Sequence, residues 1–171
     1  MRDAQAGDRG AFGQLYAMYA RAVHGIVLSR VPWIDVEDLV QDVFVTAMER
    51  LRSLRDADAF GGWLMRIARN RATDHLRRGF RRSELTGANM ADSLASSERC
   101  DASTPDRTAA LAVLSVIRSL PEAYRETLTL RFVEGLTGPE IAERTGLTPG
   151  SVRVNLHRGM KQLKERLEGS R

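Results

Sequence analysis

The run from Thr137 to Arg153 leaves few choices of fold. Thr137 and Glu140 stand at capping-box spacing, and Pro139 falls in the first helical turn, where a missing N–H costs nothing. Ala142 is small, as a close helix crossing demands. Gly146 sits where the chain must turn sharply, and glycine accepts a left-handed backbone there. Thr148 then caps a second helix, which Pro149 opens. The pattern predicts two short helices joined by a tight turn, the second running on to near Leu167. That is the plan of a helix-turn-helix, whose second helix enters the major groove of duplex DNA.

The faces of that second helix support the same end. Val152, Leu156, Gly159, Met160, Leu163 and Leu167 fall on one side at helical spacing. Val154, His157, Arg158, Lys161 and Lys164 fall on the other, with Arg153 at its edge. A basic outer face is often no more than a solvated one. Here cap, turn and face agree, which favours phosphates and base edges as its partners.

The chain has 171 residues, room for one domain or two small ones. It has no apolar run long enough for a membrane span and no signal peptide, so a cytoplasmic location is the default. Cys100 is the only cysteine, which excludes an intrachain disulfide and a four-cysteine zinc site. His24, His75 and His157 are scattered without ligand spacing. No metal, cofactor or catalytic set is expected. Net charge is +4, but it is unevenly spread. Acids dominate from Asp35 to Asp56, whereas Arg66, Arg69, Arg71, Arg77, Arg78, Arg81 and Arg82 oppose only Asp74 between Trp63 and Arg82. The split suggests one surface for a basic protein and another for nucleic acid.

Hydrophobic periodicity predicts an all-α chain. Helices are expected from about Gly10 to Ser29, from a cap at Asp35 through Leu51, and from Phe60 to Arg78. Val31-Pro32-Trp33 breaks the first of these, and residues 52–58 read as a loop. Residues 80–106 are rich in Ser, Ala, Gly, Asp and Thr and read as a flexible linker. A further helix should span Arg107 to Arg118, and another should begin at Leu120-Pro121-Glu122 and end at Gly135. The expected architecture is two small helical domains, 1–79 and 107–171, the second holding the helix-turn-helix. A linker of this length suggests that they act at separated points on one target.

Two stretches now carry a resemblance. Asp35-Val36-Glu37-Asp38-Leu39-Val40-Gln41-Asp42-Val43-Phe44 resembles the acidic region-two signature of the extracytoplasmic function (ECF) sigma factors of bacteria. Phe60-Gly61-Gly62-Trp63-Leu64-Met65-Arg66-Ile67-Ala68-Arg69-Asn70, continued by Asp74-His75-Leu76-Arg77-Arg78, resembles the signature that follows it. Leu120 through Leu167 is similar to region four. The resemblance implies a protein that binds core RNA polymerase and directs it to promoters. Asp35, Asp38, Gln41 and Asp42 would meet the beta-prime clamp helices. Asn70 would lie near the pocket for a flipped base of the −10 element, with residues 54–59 as its wall, and Arg66, Arg69, Arg77 and Arg78 would hold phosphates. Arg153, Val154, His157 and Arg158 would face the −35 duplex, with Ser151 and Lys161 on its phosphates. Val154 departs from the small polar residue common there and suits a thymine methyl. Region four would also touch the beta flap. No extra domain follows it, which implies control by a separate anti-sigma protein.

Two other readings compete. An ordinary helix-turn-helix regulator would use its first half to sense or dimerise, and would have no need of the arginine-rich helix. A metal-dependent nuclease would use the acids from Asp35 to Asp42, yet these sit at solvent-face spacing without a histidine or lysine partner.

Overall fold

The structure, a computed structural model, describes residues 1–86 and 105–169. The described residues form eight α-helices: α1 (Arg2–Gln5), α2 (Arg9–Leu28), α3 (Val36–Arg50), α4 (Phe60–Thr86), α5 (Pro105–Arg118), α6 (Glu122–Phe132), α7 (Gly138–Thr145) and α8 (Pro149–Glu168). Most of the stretch read as a linker lies outside the described residues. Helix α4 runs on past Arg78, through Gly79 and Phe80. A single glycine inside a long helix lowers its stability without ending it. Helix α1 has too few residues for a periodic signal. Gln5 holds it down, its side-chain amide donating to the carbonyls of Leu51 and Leu54 at 3.1 and 2.7 Å.

Helices α2, α3 and α4 pack around Ile26, Val27, Val43, Leu64, Met65 and Ala68, all fully or nearly fully buried. Asp8 starts α2, its carboxylate accepting from the N–H groups of Gly10 and Ala11 at 2.7 and 3.0 Å. Asp35 precedes α3 but does not cap it. A 3-10 turn at Trp33–Asp35 feeds straight into the helix, so the Asp35 backbone is already helical at φ −95° and ψ −4°. Its carboxylate instead faces His75 Nε2 on α4 at 3.1 Å.

The second half is built as its capping chemistry dictates. Thr137 and Glu140 form the complete capping box, with the Glu140 carboxylate accepting from the Thr137 N–H at 2.8 Å. Gly146 ends α7 at φ +73°. Thr148 caps α8, its hydroxyl accepting from the Ser151 N–H at 3.1 Å. The buried face of α8 is narrower than its periodicity suggests. Val152, Gly159 and Leu163 are buried and Leu156 half-buried, but Met160 and Leu167 are exposed. They lie beyond the strip that α6 covers, where Leu128 and Tyr124 close on Gly159.

The two halves do not stand apart. Leu114, Leu130, Leu136, Ile141, Ala142 and Val152 join the buried cluster of α2, α3 and α4. Two glycine-lined approaches make this possible. A methyl group on Gly25 would lie 2.8 Å from side-chain atoms of Leu130 and Glu134, so α6 crosses α2 there at close range. At the start of α4, Gly61 and Gly62 receive the end of α7, and a methyl on Gly61 would lie 2.7 Å from the Arg144 carbonyl oxygen. Arg118 closes the far end, donating to the carbonyls of Leu28 and Val31 at 3.1 and 2.9 Å.

His24 on α2 adds an ionic contact, its Nδ1 standing 2.6 Å from the Glu134 carboxylate. That hydrogen bond raises the histidine above its ordinary 6.5, with burial acting against it and the Glu134 and Glu37 charges adding to it. The contact favours the protonated ring, so its contribution to stability is whole below pH 6.5 and fades as pH rises through the raised value. Glu134→Gln should therefore destabilise the chain on the acid side of that value and make little difference at alkaline pH. Urea unfolding of both proteins across the range measures the difference. Gly146→Ala should cost about 1–2 kcal/mol by the same measurement, because its left-handed backbone penalises a Cβ.

Candidate nucleic-acid interface and acidic groove

Helix α3 presents an open groove against α2. Phe12, Tyr16, Val40, Phe44, Val45 and Met48 supply apolar walls, and Glu37, Asp38 and Gln41 rim it. Asp42 lies one turn beyond Asp38 and is exposed on the same helix. Asp38, Gln41 and Asp42 are therefore brought together, whereas Asp35 is turned aside onto His75. Tyr16 and Met48 stand at helical spacing from buried residues, yet both are about half exposed, at 46% and 53%. Tyr16 stacks at a tilt on Phe44, with ring centroids 4.5 Å apart. Apolar walls under a carboxylate rim suit an amphipathic, basic protein surface.

On α8, Ser151, Arg153, Val154, His157, Arg158 and Lys161 are all exposed. Among the described residues, none of the five from Arg153 to Lys161 has a side-chain hydrogen bond or ion pair. The Ser151 hydroxyl lies 2.9 Å from that of Thr148, so it serves the cap while remaining at the surface. The buried face holds the helix and leaves a row of donors pointing outward, as groove reading requires.

Helix α4 carries the second basic surface. Arg66, Asn70, Arg77 and Arg78 are exposed, and Arg78 donates along its own helix to the Asp74 carbonyl at 3.3 Å. Arg69 differs. Its guanidinium is held by both oxygens of Glu126, with Nε at 3.0 and 3.1 Å and Nη2 at 2.9 Å. Glu126 belongs to α6 and is only 6% exposed. The same carboxylate accepts from Arg30, in the turn after α2, at 2.6 and 3.2 Å, and Glu122 takes a second bond from Arg30. Burial works against the charge of Arg69, but the hydrogen bond and charge of Glu126 outweigh it and its pKa rises. Arg125 nearby is pushed down by burial and by the Arg30 charge, and its Nε is buried without a partner.

Glu126, Arg30 and the His24–Glu134 pair carried no signal in the sequence. An acid within a helix is ordinary, and the partners of Glu126 lie 57 and 96 residues away. The one available hint was local. Glu126 stands four residues before Leu130 and two before Leu128, on a stretch otherwise buried.

An acidic groove, an arginine-rich helix and an unengaged basic face thus lie on one chain whose described residues are all helix or loop. Comparison with known proteins gives the family. Residues 15–82 match Sigma-70 region 2, and residues 110–163 match Sigma-70 region 4. The ECF RNA polymerase sigma-E factor of Haemophilus influenzae is 30% identical over 172 residues, covering 96% of this chain and 91% of that one. The sigma-E factor of Escherichia coli K12 is 32% identical, covering 96% and 90%. BldN, an ECF sigma factor of Streptomyces coelicolor, is 32% identical over 162 residues, and the match spans 61% of its length. The solved structure of CnrH in complex with the cytosolic domain of CnrY superposes with a TM-score of 0.61 at 28% identity, covering 99% of this chain and 96% of that one. The chain belongs to the ECF sigma factors. It is an alternative sigma factor that directs promoter-specific transcription. Membership implies an initiation factor and not an enzyme. Among the described residues no helix is long and apolar enough to cross a membrane.

Proposed function

We propose that this sigma factor reads its promoter at two points and docks on polymerase through the α3 groove. The donor face of α8 carries the reading: Arg153, His157, Arg158 and Lys161 are exposed and have no side-chain partner among the described residues, and only beyond them does Lys164 pair with Glu168. Arg153 and Arg158 suit bidentate bonds to guanine, Val154 a thymine methyl, and Ser151 and Lys161 phosphates of the −35 duplex, with His157 between them. On α4, Asn70 is exposed among arginines and has no side-chain partner among the described residues. Its amide can pair with the edge of an unstacked base of the −10 element, while Arg66, Arg69, Arg77 and Arg78 supply charge to the strand.

In this reading the domains are residues 1–79 and 107–171, joined through 80–106, whose first residues continue α4 to Thr86 and whose last open α5. Asp38, Gln41 and Asp42 meet the basic beta-prime clamp helices, and the walls around Tyr16, Phe44 and Met48 take an apolar side chain from them. Asp35 takes a lesser share because His75 already holds it. The second domain also touches the beta flap. The protein works in the cytoplasm, where polymerase is, and is held in check by a separate anti-sigma protein. A regulator that never joins polymerase would leave the acidic groove without a partner.

Transcription by core polymerase and this protein on a randomised promoter library tests the whole reading. It should return one spaced pair of elements. Asp38→Ala combined with Asp42→Ala should weaken core binding while duplex binding through α8 persists; unchanged core affinity would refute the groove assignment. Arg158→Ala should cost about 1–3 kcal/mol on the preferred duplex and relax the base preference locally. An equal loss on all duplexes would reduce Arg158 to a phosphate contact.

A further inference from the structure

The basic face of α4 holds one residue that the two-point reading leaves unused. Because α4 does not end at Arg78 but runs through Gly79 to Thr86, Phe80 has a fixed place on a helix. Helical spacing puts it on the face of the exposed Arg66, Asn70 and Arg77, with Arg81 beside it. Leu76, one turn before Phe80, packs against the core cluster, so the ring stands at the border between the apolar and basic sides of the helix.

An exposed phenylalanine alone means little, because single apolar residues are ordinary on protein surfaces. This one differs from its counterparts. Tyr16, Tyr19, Phe44, Phe60 and Trp63 each pack against another ring. Phe80 takes part in none of the ring contacts among the described residues and is 54% exposed. The charge around it selects an anionic occupant. An unpaired nucleic-acid strand offers a phosphate and a π-face at every step, the first for the arginines and the second for the ring. A duplex keeps its base faces stacked inside and offers the ring nothing. Phe80 lies about 15 Å beyond Asn70 along the helix axis, at about 1.5 Å per residue. At about 3.4 Å per step of a stacked strand that is about four nucleotides, and fewer where the strand is stretched. One strand can therefore reach both residues.

Within the two-point reading, on which this role depends, we infer that Phe80 is a stacking platform for a second unpaired base of the opened strand, a few nucleotides from the one at Asn70. Asn70 chooses a base by its edge. Phe80 accepts any base by its face, and so adds hold without sequence preference.

The full chain is titrated with three probes of about twenty nucleotides: a random single strand, an abasic strand with the same phosphates, and a random-sequence duplex. Phe80→Ala should weaken binding of the random strand about tenfold, the loss of one stacked base. Its salt slope should not change, and neither should its binding to the abasic strand or the duplex. Arg77→Ala should instead weaken both strands alike and lower the salt slope by about 0.7. Phe80→Trp should keep wild-type binding. Phe80→Leu should not, because leucine retains apolar bulk without a ring face. Alanine and leucine suit a helix at least as well as phenylalanine, and unchanged helical content shows that each variant has folded. Full strand binding by Phe80→Leu or Phe80→Ala, or a loss that the abasic strand shares, would overturn the stacking role and leave the promoter reading standing. So would a Phe80→Ala chain that binds strands normally but core polymerase poorly, which would make the ring a protein contact. A wild-type chain that binds neither strand nor duplex would overturn the promoter reading and the stacking role together.

Discussion

A carboxylate almost wholly removed from water must be matched by positive charge and filled hydrogen bonds, or its burial is costly. Glu126 meets that condition only because distant segments converge on it. Arg30 reaches it from the turn after α2 and Arg69 from α4, while α6 carries it. The crossing of α6 over α2, the seating of α7 against α4 and the shared apolar cluster all agree with that convergence. Removing either arginine would leave a buried charge undercompensated, which is costlier than losing an exposed ion pair.

The division of charge along the chain then has a spatial meaning. The acids of α3 rim an open groove between α2 and α3, and the arginines of α4 form a separate strip. The helix-turn-helix, docked by its turn against the start of α4, leaves its own basic face outward. In the proposed reading these are three surfaces for three kinds of partner, and Arg69 belongs both to a proposed binding surface and to the contact between the halves.

What could be read from the sequence was whatever depends on neighbours within a few residues. The capping box at Thr137, the left-handed Gly146 and the Thr148 cap are local chemistry, and each stands where the pattern placed it. Periodicity located the long helices but blurred the edge of their apolar faces. Tyr16, Met48, Met160 and Leu167 share a helical face with buried residues, yet no neighbouring helix covers them. Asp35 looked like a cap because it precedes α3, but the preceding 3-10 turn sets its backbone and frees its side chain for His75. The seam was invisible for a different reason. Its contacts join residues far apart in sequence, and Glu126, His24 and Arg30 are unremarkable types in unremarkable local settings.

The glycines at the seam have a consequence for descent. Gly61 and Gly62 belong to the helix assigned to the opened strand, and Gly146 to the turn that orients the duplex reader. A Cβ on Gly61 would meet the Arg144 carbonyl, and one on Gly146 would crowd the Gly62 backbone. The halves are therefore not freely interchangeable modules. A chimera that joins this first half to a relative's region four keeps this packing only if that turn is equally small, so the two halves are constrained to vary together.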